Sequence, residues 1–170
     1  RREAINWDIC IRSTLPEVFF SNAVKLMDER LLFACKKGTE LAEKERISLR
    51  DLTDVDFIVL KKGGSIRAVS DKKFKERGFI PRISYECDNH YILKRMVEEG
   101  LGVAIWPEYS WRRKLEEEDD GSGICLKPLD IAEFTRSLYL IRQKDVKLTE
   151  NIEEFIEFTI DYFDMIKNNG

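Results

Sequence analysis

The chain has 170 residues, 43% hydrophobic and 36% charged, with a net charge of −3. That length fits one large domain or two small lobes with a real core, and the acidic balance excludes the basic stripe of a duplex-binding surface on this piece. No apolar run reaches the roughly 18–20 residues of a membrane helix, and Arg1-Arg2-Glu3-Ala4 lacks the apolar stretch of a secretion signal.

Strand-like and helix-like segments alternate along the chain. Residues 7–11 read as a short apolar strand and 13–22 as a loop. Residues 23–36 read as one extended segment centred on Leu31-Leu32-Phe33-Ala34-Cys35. Residues 38–46 are a polar excursion, and 48–52 a single helical turn capped by Ser48. A buried strand is expected at 57–60, a helix over 65–77 ended by Gly78, and a strand at 81–85. Asp88 or Asn89 caps the next helix, whose apolar face carries Ile92, Leu93, Met96 and Val97. Gly100 stands where that helix needs a left-handed residue. The chain then becomes the strand 102–105 and stops at Pro107, which cannot donate to a ladder. Residues 116–120 are an acidic solvated loop. Strands follow at 126–129 and 137–141. A long amphipathic helix fills 149–167, its stripe formed by Ile152, Phe155, Ile156, Ile160, Phe163 and Ile166. The alternation predicts a largely parallel sheet in the middle of the chain.

Three corners carry candidate chemistry, because ligands of α/β folds sit beyond the carboxyl ends of the strands. Gly63-Gly64-Ser65 opens a helix, where free backbone N–H groups and the helix dipole favour an anion. The plain alternative is a glycine turn with Ser65 as N-cap. Asp88 and Asn89 hold a second corner, with capping as the alternative. Ile105-Trp106-Pro107 forms a candidate pocket wall, or core. A fourth position, Arg12-Ser13-Thr14, leaves the first strand with a guanidinium fork and two hydroxyls suited to a carboxylate or phosphate. The single histidine, His90, reads as a first-turn surface residue. The four cysteines (Cys10, Cys35, Cys87, Cys125) form no CxxC pair and read as reduced core thiols. No metal, cofactor or catalytic constellation is expected, so the chain does not read as an enzyme.

The stretches Trp7-Asp8-Ile9-Cys10-Ile11, Glu29 to Cys35, Ile47 to Leu52, Asp56 to Leu60, Gly78-Phe79-Ile80-Pro81 and Met96 to Pro107 occur in one order. In that order the chain resembles the effector-binding domain of LysR-type transcriptional regulators. The resemblance implies an α/β fold of two lobes, like the type 2 periplasmic binding proteins, with mostly parallel sheets. Residues 1–30 and 125–170 would form an incomplete first lobe, and 31–124 the second lobe with its crossover segments. The family's winged helix-turn-helix has no counterpart here, and the opening strand, helix and strand of the first lobe are expected to be missing.

A small effector, an anionic metabolite by the chemistry of the corners, would bind in the cleft. Arg12, Ser13, Thr14, Gly63, Gly64, Ser65, Asp88, Asn89, Ile105, Trp106 and Pro107 are the expected contacts. The resemblance further implies a cytoplasmic homodimer or tetramer that meets DNA only through the absent domain. A solute-binding protein of a transport system, with the same architecture, is the competing reading.

Overall fold

The computed structural model describes residues 8–13, 22–111, 123–143 and 147–168. Contacts divide the chain into two compact units: Arg1–Asp28 with Ser137–Gly170, and Glu29–Arg136. The second unit is thus inserted into the first, and the chain passes between them along two strands, β2 (Ala23–Lys36) and β7 (Thr135–Arg142).

Unit 2 contains most of the regular structure. After β2 come a short helix α1 (Glu40–Glu43), a 3-10 turn (Leu49–Leu52), β3 (Asp56–Leu60), α2 (Ser65–Glu76), β4 (Arg82–Cys87), α3 (His90–Glu98), β5 (Ala104–Pro107) and β6 (Ile124–Lys127). The caps follow the sequence closely. Ser48 and Asp51 form a reciprocal capping box on the 3-10 turn. Asn89 caps α3, its side chain accepting from the Tyr91 N–H at 2.7 Å. Gly100 is left-handed, at φ 78°.

The expected parallel sheet is only half of the arrangement. β3 and β4 pair in parallel, and Phe57 bridges Val103 in parallel just before β5. β2, however, pairs antiparallel with β5 on one side and with β6 on the other. Strands linked through α2 and α3 must run the same way, since a crossover helix returns the chain to the starting edge. β2 enters from the other unit without such a crossover and runs against them. Its pairing with β6 groups residues 125–136 with unit 2.

The core of unit 2 lies between α2 and the sheet. Phe57 meets Phe33, Phe74 and Phe79 with centroids 6.4, 5.8 and 6.0 Å apart, and Phe74 stacks on Phe134 at 5.8 Å. Such pairs add about 0.5–1.5 kcal/mol each beyond simple burial. A second cluster around Trp106, Val97, Leu93 and Ile58 fills the α3 side.

In unit 1, β1 (Ile9–Arg12) pairs antiparallel with the end of β7, in the register Ile9–Arg142 to Arg12–Tyr139. β7 lies between β1 and β2. The long helix α4 (Glu150–Asn168) carries the expected stripe with one correction. Ile152, Ile156, Ile160, Phe163 and Ile166 are partly buried with Thr159 at their centre, whereas Phe155 is exposed. Phe155 belongs to another face, with Phe158, Tyr162 and Met165, all exposed and spaced three and four residues apart. The expected loop at 116–120 lies outside the described residues.

Candidate functional site

β3, β4 and β5 share one direction, so their carboxyl ends lie along one edge of the parallel part of unit 2. The three sequence-derived corners of this unit are those strand ends. The first two are neighbours: the Lys61 N–H donates to the Cys87 carbonyl at 2.8 Å, and the Lys61 ammonium pairs with Asp88 at 3.2 Å. That ammonium holds the Asp88 carboxyl below its ordinary range.

At the first corner the N-cap of α2 is Gly64, not Ser65, which is the first helical residue. Gly63 has φ 108° and needs to be glycine. Gly64 has an ordinary extended backbone, φ −86° and ψ 151°, and a Cβ there would meet open space. Both glycines are exposed, and the first-turn N–H groups of α2 have no intrahelical partners.

The Ser65 hydroxyl accepts from the Arg136 guanidinium at 2.9 Å. Arg136 in turn pairs with Glu29 at 2.7 Å, its side chain 10% exposed and that of Glu29 fully buried. The Glu29 carboxylate also accepts from the Tyr109 N–H at 2.9 Å, the Ser110 N–H, and the Ser110 hydroxyl at 2.9 Å. One buried ion pair therefore anchors both the start of α2 and the turn that follows β5, through a chain of contacts from Ser65 through Arg136 and Glu29 to Ser110.

The remaining corner residues divide between capping and packing. Asn89 spends its side-chain oxygen on capping α3, leaving its amide N–H₂ as the donor. Trp106 is fully buried and packs edge-on against Trp111 at 4.7 Å, and its indole N–H has no protein partner among the described residues. Ile105 lines a void of about 20 Å³ between α2 and β3, room for one water. Pro107 is buried at the end of β5. His90 packs at a tilt against Trp111, ring centroids 5.1 Å apart. Arg12 and Ser13 close β1 in unit 1, with Arg12 exposed; Thr14 lies outside the described residues.

Glu29 and Arg136 went unnoticed in the sequence. Glu29 did leave a signal: along β2 the buried phase runs Met27, Glu29, Leu31, Phe33, Cys35. A glutamate in the apolar phase of a strand demands a buried partner. Nothing local names that partner, which lies 107 residues away.

An inserted α/β unit, entered and left by strands and open along one carboxyl edge, is the build of a small-molecule-binding domain. The chain belongs to the LysR substrate binding domain family, whose model matches residues 6–164. A curated relative is the transcriptional dual regulator GltC of Bacillus subtilis (strain 168), 23% identical over 161 residues, 94% of this chain and 52% of that protein. Among solved structures, the CcmR regulatory domain of Synechocystis PCC6803 in complex with 2-PG matches with a TM-score of 0.79 at 20% identity, over 93% of this chain and 74% of that one. The effector binding domain of QuiR in complex with shikimate matches with a TM-score of 0.75 at 19% identity, over 94% and 73%. The fold is thus that of the two-lobe effector domains. The chain spans about half the length of the curated regulator. No described helix is long and apolar enough to cross a membrane.

Proposed function

We propose that this chain is the sensing domain of a LysR-type transcriptional regulator, binding a small anionic effector and passing its occupancy to a DNA-binding segment of the same protein. The observation that carries the reading is the family match over residues 6–164, joined to an edge of unit 2 that offers donors. The family favours this over a transport solute-binding protein. The regulator acts in the cytoplasm.

The Gly63-Gly64-Ser65 corner supplies backbone N–H donors for the anion, and Arg136 holds Ser65 in place from below. Asn89 offers a further donor, and Ile105, Trp106 and Pro107 fix the shape of the wall. The test is a thermal-shift titration of the intact regulator with small carboxylates and phosphates, since a ligand that binds only the folded state raises its stability. A ligand found this way loses affinity at least tenfold on Gly64→Val, whose backbone and surroundings admit a side chain. Unchanged affinity places the site elsewhere.

We further propose that the regulator is a homodimer or a tetramer built from such dimers. The exposed face of α4, with Phe155, Phe158, Tyr162 and Met165, supports an apolar contact surface.

A further inference from the structure

Cys35 and Cys125 stand directly opposite each other on the antiparallel strands β2 and β6. Opposed residues of an antiparallel pair project from the same face, and the two sulfurs are 3.3 Å apart. Two residues along the same ladder, the Lys37 N–H donates to the Gly123 carbonyl at 2.6 Å. Cys35 and Cys125 share that parity, so they form a hydrogen-bonded type of pair, with Cα atoms about 5.5 Å apart. Disulfides span Cα separations of about 4.4–6.8 Å. Both cysteines are free thiols; Cys35 is buried and Cys125 half-buried. The sulfurs need only close by roughly 1 Å to reach bonding distance, while the paired strands hold both backbones.

We propose that Cys35 and Cys125 are an oxidation site, converted by a hydroperoxide into an intrachain cross-strand disulfide. The accessible sulfur, Cys125, takes the first step. Its thiolate attacks one peroxide oxygen, the O–O bond breaks, and the departing hydroxide takes up the thiol proton and leaves as water. Cys125 is then a sulfenic acid. The Cys35 sulfur attacks the Cys125 sulfur, the S–O bond breaks, and the leaving hydroxide takes the Cys35 proton as a second water. Two thiols have lost two electrons, and the peroxide has gained them. Burial and the neighbouring Cys125 thiol push Cys35 up to about 12, which keeps it a thiol and leaves the first attack to Cys125. The bond would staple the strand β6 to the strand by which the chain enters unit 2.

The experiment is treatment of the full reduced chain with equimolar hydrogen peroxide, followed by non-reducing peptide mapping and a thermal melt. The expected product is one cross-linked peptide pair carrying Cys35 and Cys125, a mass loss of two hydrogens, and a raised melting temperature that dithiothreitol reverses. Cys125→Ser abolishes the cross-link while Cys10 and Cys87 stay reduced. The mapping of the unmodified sequence decides the matter even where a core cysteine variant fails to fold. Absence of the cross-link, prior oxidation of Cys10 or Cys87, or overoxidation of Cys125 beside an intact Cys35 thiol overturns the proposal.

Discussion

Glu29 and Arg136 face each other at 2.7 Å, and they are the residues at which the chain enters and leaves unit 2. The Glu29 carboxylate is fully buried, and both of its oxygens accept from protein donors. Removing one member strands a buried charge, which costs about 3–5 kcal/mol. Arg136→Met is therefore expected to lower stability by about that amount, read from urea unfolding. Glu29→Gln with Arg136→Met should cost clearly less than the sum of the two single changes, since the partners are coupled. Strict additivity would mean that the pair does not act as a unit.

The two glycines ahead of α2 answer differently to a side chain. Gly63 adopts φ 108°, which a β-branched residue cannot adopt without strain, whereas Gly64 does not. Gly63→Val is expected to lose about 1–3 kcal/mol. Gly64→Val should cost less, about 0.5–1 kcal/mol, because it puts a poor capping residue at an otherwise unobstructed position. Matched melting curves of the two variants check this, and equal losses would refute it.

The capping box on residues 48–51 carries a pH dependence. The Lys44 ammonium at 2.8 Å, then the Ser48 hydroxyl and N–H, hold the Asp51 carboxyl down to about 2. An unfolded aspartate titrates near about 3.9. The folded value is the lower one, so the contribution is complete above the unfolded value and fades as pH falls towards the folded one. Asp51→Asn should destabilise the chain at about pH 6, and the gap to the parent should narrow by about pH 3. A gap that stays constant between the two pH values would show that the carboxylate charge does not matter.

The exposed face of α4 predicts a change in association. Phe158 is 65% exposed at the middle of that face. On the proposed association through this face, Phe158→Glu should shift the full-length protein towards smaller species in sedimentation, with little effect on the melting temperature. An unchanged distribution would move the contact to another surface.

What the sequence could reveal follows from the range of the interactions involved. The Ser48 turn, α2, the Asn89 cap and the Gly100 turn are set by neighbours a few residues apart, and their boundaries were readable to within a residue or two. The direction of β2 was not, because strand pairing joins residues 70 or more positions apart, as Leu31 with Pro107 shows. Ser65 was a reasonable N-cap by residue type, but Gly64 takes the extended cap conformation and leaves the Ser65 hydroxyl to Arg136. Phe155 fits an apolar stripe by period alone, yet two apolar faces wind along α4, and periodicity does not say which is covered. The strand-end corners were legible as positions; the anchor that the first corner shares with the turn after β5, the Glu29–Arg136 pair, was not.

The insertion of one unit within the other sets an order of events on the ribosome. Unit 2 is an unbroken stretch, so all of it has been synthesised when residue 137 is added. The 34 residues that follow supply most of β7 and all of α4 to unit 1, and at about 5–20 residues per second they take roughly 2–7 s to make. Unit 2 can therefore take shape first, while β1 and the start of β2 wait for the return segment. A chain released from the ribosome after being cut short within residues 137–170 should already protect unit 2 from protease and leave residues 8–13 and 22–28 open to it.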